Sequence, residues 1–286
     1  MSDAPKDHTS KSIPVTLPDI DHEAFRRRFN PDGSPLRKHQ LRMLEMLRFF
    51  DGVCRKNNIP YWLSSGSCLG AVRHGGFIPW DDVVDVEILA EDYPRLINAI
   101  EAEHSDRYVV QTHENDPFWL QQYPKLRDLY SEIDEGKVGM NYRYKGVFID
   151  IFLMEPAVPK WMGRIGQELV WICVFHGCKL YNGSKTDRLV AALSWGIMSG
   201  ARRVAKVFSG WYKDGRMTHK YPNHYIWSRY KSDIFPLREC KFENLMVFVP
   251  GDTHAYLTRV YGDYTRIPST DSIITHCSAC RYLDEE

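Results

Sequence analysis

GGFIPWDDVVDVEIL, residues 75–89, sets Asp81, Asp82 and Asp85 into a segment that otherwise reads as a buried strand. Its second half is rich in Val, Ile and Leu, residues that favour a pleated, enclosed backbone. Carboxylates in such a run need a proton, a basic partner or a cation to offset their lost hydration. Side chains alternate along a strand, so an extended reading from residue 81 puts Asp81, Val83 and Asp85 on one face and Asp82 on the other. A further acid, Asp150, stands in a similar setting within GVFIDIFLM, residues 146–154. Acids on neighbouring buried strands repel unless a cation lies between them. Oxygen-only ligands suit Mg²⁺ or Mn²⁺, held by one or two carboxylates together with substrate phosphates.

Outward from this stretch, helices alternate with strands. LRKHQLRMLEMLRFFDGVCRKNN (36–58) has helical apolar spacing with basic residues on its other face. YWLSSGSCLG (61–70) predicts a short strand running into a turn at Gly66 and Ser67, whose N–H groups and hydroxyl suit phosphate oxygens. EDYPRLINAIEAEH (91–104) predicts a helix; RYVVQT, YPKLRDLY and GVFIDIFLM predict strands. Residues from about 160 to 235 read as helix-rich, and 240–268 as strand, turn and helix. The expected class is α/β (α+β): a mixed sheet flanked by helices, with a helical subdomain. The expected division is a loosely held tail (1–35), a core (36–157), a helix-rich insertion (158–239) and a C-terminal segment completing the core (240–286).

Composition narrows the function classes. Lys plus Arg and Asp plus Glu each number 37 among 286 residues. That balance argues against a general nucleic-acid binder and leaves room for a local phosphate pocket. Seven scattered cysteines and an N-terminus without an apolar core of the signal-peptide kind predict a reduced, cytoplasmic setting. HCSAC (276–280) holds one C-x-x-C pair, short of the four ligands of structural zinc, so its thiols read as ordinary. WMGRIGQELVWICVFHGCKL (161–180) and DRLVAALSWGIMSGARRVAKVFSGWYK (187–213) combine apolar faces, tryptophan and basic residues. The mixture suits peripheral contact with a membrane, though packing on the core is the commoner use of such faces. Phe118, Trp119 and Tyr123 either line an acceptor site or fill the core.

YWLSSGSCLGAVRHGGFIPWDD (61–82) resembles the LicD/fukutin-related family of phosphotransferases, which is built on the nucleotidyltransferase fold. The resemblance continues through GVFIDIF and FENLMVFVP…YLTRVYGDYTRIP to a histidine near the C-terminus, covering most of residues 40–276. It implies transfer of a phosphorylated alcohol, such as phosphocholine or a polyol phosphate, from a CDP-linked donor. The implied acceptor is a hydroxyl of a glycan or lipid-linked polymer. Carried across, Gly66 and Ser67 hold donor phosphate; Asp81, Asp85 and Asp150 are metal ligands for Mg²⁺ or Mn²⁺. Arg73 and His74 touch phosphate or acceptor, Lys125 and Arg127 are further phosphate contacts, and His276 matches a family histidine.

One position departs from that pattern. The family carries a run of acids that includes positions 81, 83 and 85, and here the middle one is Val83. On an ideal strand Asp81 and Asp85 stand roughly 13 Å apart, too far to share one ion. Either the site shifts to Asp85 and Glu87, or metal binding is weakened. A non-catalytic nucleotide- or glycan-binding relative, and a nucleotidyltransferase releasing pyrophosphate, are the alternative functions.

Overall fold

The central strand is β6 (Phe148–Pro156), nine residues with Ile149, Ile151, Leu153 and Met154 buried. In the computed structural model, which describes residues 21–225, 227–267 and 280–285, every neighbour of the main sheet is placed relative to it. β2 (Asp85–Leu89) runs parallel along one side of β6, and β1 (Tyr61–Leu63) pairs antiparallel outside β2. On the other side, β4 (Lys125–Asp128) covers the start of β6, with β3 (Tyr108–Gln111) beyond it. β7 (Arg216–His219) covers the end of β6 and pairs with β8 (Arg229–Tyr230). The result is the expected α+β arrangement, a mixed sheet flanked by helices.

α2 (Pro35–Lys56) shows why the first long helix forms where it does. Ser34 caps it by accepting from the Arg37 N–H at 3.2 Å, and Pro35 supplies a preset φ at the first helical position. Its Met43, Met46, Leu47 and Phe50 are buried in the main core with Trp62, Val86, Ile88 and Ile151. α3 (Ser65–His74) follows β1 directly and ends at Gly75, whose φ of 66° is the left-handed stop that glycine takes cheaply. α4 (Tyr93–Ala102) agrees with its expected span.

Several expectations are corrected here. β2 begins at Asp85, not Asp81. The Asp81 N–H turns back to the Ile78 carbonyl at 2.9 Å, and its carboxylate accepts from the Asp82 N–H at 3.0 Å. Gln40 and His39 of α2 bond to the Asp81 and Asp82 carbonyls. Side chains thus take the main-chain bonds that a strand ladder would have used, and the ideal-strand separation of Asp81 and Asp85 does not apply. Gly66 and Ser67 lie in the first turn of α3 instead of a loop.

The helix-rich region stops at the end of α7, because β7 and β8 return to the sheet. It comprises α6 (Lys160–Val170), a π-turn and a 3₁₀-turn through Leu180, and α7 (Lys185–Val207), with two small apolar clusters of its own. Part of the supposed tail is ordered as α1 (His22–Phe29), capped by Asp21 and laying Phe25 and Phe29 on Trp80. The C-terminal segment forms the hairpin β9–β10 (Arg238–Phe242, Leu245–Val249) and α9 (Thr253–Tyr261). Short β5 (Ser131–Ile133) pairs with β11 (Cys280–Tyr282). Among the described residues no helix is long and apolar enough to cross a membrane.

Candidate active site

Parallel pairing of β2 with β6 sets Asp85 opposite Asp150, and antiparallel pairing of β6 with β4 sets Lys125 opposite Asp150. Partners in register on adjacent strands share a face at about 4.8 Å strand spacing. Two carboxylates and one ammonium therefore form a single row across three strands. Asp85 is fixed from both sides: its N–H donates to Ser67 Oγ at 2.9 Å, and its carbonyl accepts from the Ser64 N–H at 2.9 Å. The Asp150 N–H donates to the Val84 carbonyl at 3.1 Å, which sets the start of β6 against the start of β2.

The row holds more negative charge than its basic residues cancel. Lys125 Nζ is 3.3 Å from Asp150 Oδ1 without hydrogen-bond alignment, so that buried oxygen has no hydrogen-bond partner. The same ammonium is 3.4 Å from Glu135 Oε2, and Arg127 reaches Glu135 Oε1 at 2.6 Å. Among the described residues Asp85 has no ion pair of its own, and Lys125 offsets its surroundings only in part. Burial, then Asp150 and Asp81, push its pKa well above the ordinary carboxylate value. Burial also raises Asp150, against the opposing pull of Lys125. Among the described residues no three His, Cys, Asp or Glu side chains converge as a ready-made metal cage. Two hard oxygen ligands, excess negative charge and an orphaned carboxylate oxygen fit a divalent cation completed by substrate oxygens.

Beside the row lies a cavity of about 420 Å³, walled by Gly66, Arg73, Trp80, Asp81, Tyr261 and Arg266 among others. A Cβ on Gly66 would stand 3.1 Å from Asp81 Oδ2, so the missing side chain is what lets this carboxylate lie against α3. Burial, then Asp82, push Asp81 up to about 7. Ser64, at the N-cap of α3, gives its hydroxyl to Glu87 and caps nothing. The Ser65 N–H donates instead to Tyr256 Oη at 3.3 Å, and the Gly66 and Ser67 N–H groups that follow receive no cap from Ser64, a setting that favours anions.

Other expected site residues are spent on structure. Arg127 is fully buried, donating to Gln111 Oε1, the Gly146 carbonyl and Glu135 at 2.6–2.8 Å. It has no face left for a substrate phosphate. The Ser67 hydroxyl is buried on the Asp85 N–H, which makes it a positioning group. Arg73 Nη1 ties α3 to the Tyr264 and Arg266 carbonyls, and its Nε donates to His74 Nε2 at 3.0 Å. That bond fixes the His74 proton on Nδ1, which faces His22 Nδ1 at 3.2 Å. Burial, then Arg73 and His22, lower the His74 pKa to about 3, so the ring is neutral and committed at both nitrogens.

Glu87 is equally committed. Trp62 Nε1, Ser64 Oγ, His219 Nε2, Arg229 Nε and Tyr256 Oη surround it at 2.6–3.1 Å. Burial alone would raise its pKa, but Arg229, His219 and Ser64 outweigh that and hold it at about 2. A metal site shifted to Asp85 and Glu87 is thereby ruled out by the bonds Glu87 already makes. His276 lies outside the described residues. Tyr225 and Tyr261 were not foreseen: burial, then the row carboxylates, push Tyr225 up to about 12 and raise Tyr261 further. Tyr225 has no local motif; Tyr261 lies in the quoted YLTRVYGDYTRIP stretch, but nothing local in it points to the carboxylates of β2 and β6.

The family described as LicD/FKTN/FKRP, nucleotidyltransferase domain, matches residues 58–162, the span that carries α3, β2, β4 and β6. Over residues 58–162 the chain is thus similar to the nucleotidyltransferase domain of the LicD/fukutin-related family. Over 272 residues the chain is 27% identical to the lipopolysaccharide cholinephosphotransferase LicD of Haemophilus influenzae, covering 84% of this chain and 95% of that protein. It is 50% identical over 48 residues to human ribitol 5-phosphate transferase FKRP, covering 17% of this chain and 10% of FKRP. With human ribitol-5-phosphate transferase FKTN it shares 41% over 49 residues, 11% of that protein. LicD-type similarity thus runs nearly end to end, whereas the FKRP and FKTN similarity is a short block.

Proposed function

We propose that the chain transfers a phosphorylated alcohol, choline phosphate or a polyol phosphate, from a CDP-linked donor to a hydroxyl of a glycan or lipid-linked polymer. The observation that carries this reading is the in-register pair Asp85–Asp150, two carboxylates that share the Lys125 ammonium, 3.3 Å from Asp150 Oδ1, as their neighbouring positive charge. Asp85 and Asp150 are the residues that would hold Mg²⁺ or Mn²⁺, which supplies charge neutralisation for the donor diphosphate. Ser67 keeps Asp85 in register, and Lys125 holds Asp150 while adding positive charge beside the row. The Gly66 and Ser67 N–H groups at the start of α3 offer donors to phosphate, a role the sequence reading gave to those N–H groups together with the Ser67 hydroxyl. Arg73 and Trp80 wall the adjacent cavity, whose volume accommodates part of a nucleotide donor.

The name of the Haemophilus relative supports choline phosphate and lipopolysaccharide; those of FKRP and FKTN support ribitol phosphate. Val83 favours a second reading, a relative that binds donor or glycan without turning it over. Product analysis separates the possibilities. CMP formed from CDP-choline or CDP-ribitol with Mg²⁺ or Mn²⁺ and a glycan acceptor is the expected result. Pyrophosphate formed from CTP and an alcohol phosphate would replace this function with nucleotidyl transfer. Donor binding with neither product would establish the non-catalytic reading.

A further inference from the structure

α7 is packed inside out. Its buried positions are Asp187, Ala191, Ser194, Met198 and Ala205, mostly small or polar. Its open face carries Leu189, Leu193, Ile197, Val204 and Val207, each 54–81% exposed. At about 100° per residue these five fall within about 80° of arc, forming one continuous stripe. At the last turn Trp161 and Trp211 flank Phe208, with ring centroids 5.9 and 6.2 Å away, and both tryptophans are more than half exposed. A contiguous apolar face of this extent has a strong drive to be covered.

Charge selects the cover. Residues 160–213 carry nine Lys or Arg against two acids, Glu168 and Asp187; Asp187 is buried, and of the nine Arg202 is paired with Glu155. The whole chain is neutral, so the excess is local. Lys185, Arg188, Arg203 and Lys206 follow one edge of the stripe by the same helical rotation. Pairing two copies of this face would gather like charges, whereas an anionic lipid surface compensates them. Exposed tryptophans beside an apolar stripe match the headgroup boundary, where their amphipathic rings are most stable. We propose that the open face of α7, with Trp161 and Trp211, docks on an anionic membrane surface and lies in its plane. This inference is independent of the transferase reading.

The test uses the full chain and vesicles of phosphatidylcholine with or without 30% phosphatidylglycerol, read by co-sedimentation and tryptophan fluorescence. (The lipid fraction is a choice of about one anionic lipid in three, enough to set a negative surface potential.) Binding to the anionic vesicles, weakened by salt, with a blue shift in emission, is expected. Arg203→Glu with Lys206→Glu should lower that binding by roughly thirtyfold, from about fivefold per basic residue lost near the surface. Leu193→Glu with Ile197→Glu should abolish the blue shift; circular dichroism checks that both variants remain folded. Absence of binding by the folded parent chain overturns the proposal. So does a dimer, seen by sedimentation equilibrium, that Leu193→Glu with Ile197→Glu dissociates while vesicle binding is absent. Equal binding by the folded parent and the Arg203→Glu, Lys206→Glu variant would overturn the selection by charge.

Discussion

Glu87→Gln changes one oxygen for an amide and should cost more stability than almost any surface change. The glutamate is fully buried, and it joins β2 to β1 through Trp62 and Ser64, to β7 through His219, to β8 through Arg229 and to α9 through Tyr256. Glutamine keeps the shape but leaves Arg229 buried without its counter-charge, a loss of about 3–5 kcal/mol. A second route gives a similar size. Glu87 moves from an ordinary 4.5 to about 2 on folding, and at 1.36 kcal/mol per pKa unit that is about 3 kcal/mol. Because the folded value lies below the unfolded one, this contribution is present above about pH 4.5 and fades as pH falls towards 2. Urea titrations at pH 7 and at several acidic values should show a large gap between parent and variant that narrows with acidification. A gap under about 1 kcal/mol at pH 7 would refute the network account. A stability gap that appeared only with Mg²⁺ present would restore Glu87 as a metal ligand.

The remaining predictions concern the row and its surroundings. Asp150→Asn should stabilise the metal-free protein by about 1–2 kcal/mol above pH 5, since it removes a repulsion that grows as the carboxyls ionise. Asp85 and Asp150 both have folded pKa values above their unfolded ones, so metal-free stability falls as pH rises through those values. Thermal melts with and without MgCl₂ should show that only the parent gains stability from the metal. Arg127→Ala should lower stability by about 3–5 kcal/mol, because Glu135 is then left to Lys125 alone and the buried Gln111 Oε1 and Gly146 carbonyl lose their donor. Calorimetry would detect that loss, and a fully stable variant with weakened donor binding would return Arg127 to the substrate site. Val83→Asp should raise Mg²⁺ affinity and turnover together, measured by isothermal titration and CMP release. An active parent whose metal affinity is unaltered by the substitution would show that position 83 lies outside the metal site.

What could be read from the sequence was local, and what could not was a matter of distant partners. Alternating acids and β-branched residues located β2 and β6, and their parallel register brought Asp85 and Asp150 together as expected. The start of β2 was misread because Gln40 and His39, forty residues earlier in α2, capture the Asp81 and Asp82 carbonyls. Arg127 looked like a phosphate contact until Gln111, Gly146 and Glu135 were seen to enclose it. Glu87 looked like a spare ligand for the same reason, since its partners at 219, 229 and 256 come from a region that carries little periodicity. β7 and β8, with four and two residues, are shorter than the window over which an alternating pattern can be distinguished.

These commitments bear on how a site with Val83 can operate. Glu87 is neutralised by Arg229, and the Asp81 carboxylate is turned onto the Asp82 N–H, so neither is an open substitute for a carboxylate at 83. On the proposed function Asp85 and Asp150 are then the ligands the protein itself would supply. A magnesium ion asks for six oxygens and commonly takes only one or two of them from carboxylates. On the proposed function the rest would come from water and from donor phosphates, so metal and donor should bind better together than either alone, which calorimetric titration of each with and without the other checks. On that reading the Gly66 and Ser67 N–H groups and the cavity beside Gly66 are where such phosphates would be held. The loss of the third acid would then shift the holding of the metal towards the substrate, while the pairing of β2 with β6 stays as it is, because Val83 precedes the first residue of β2.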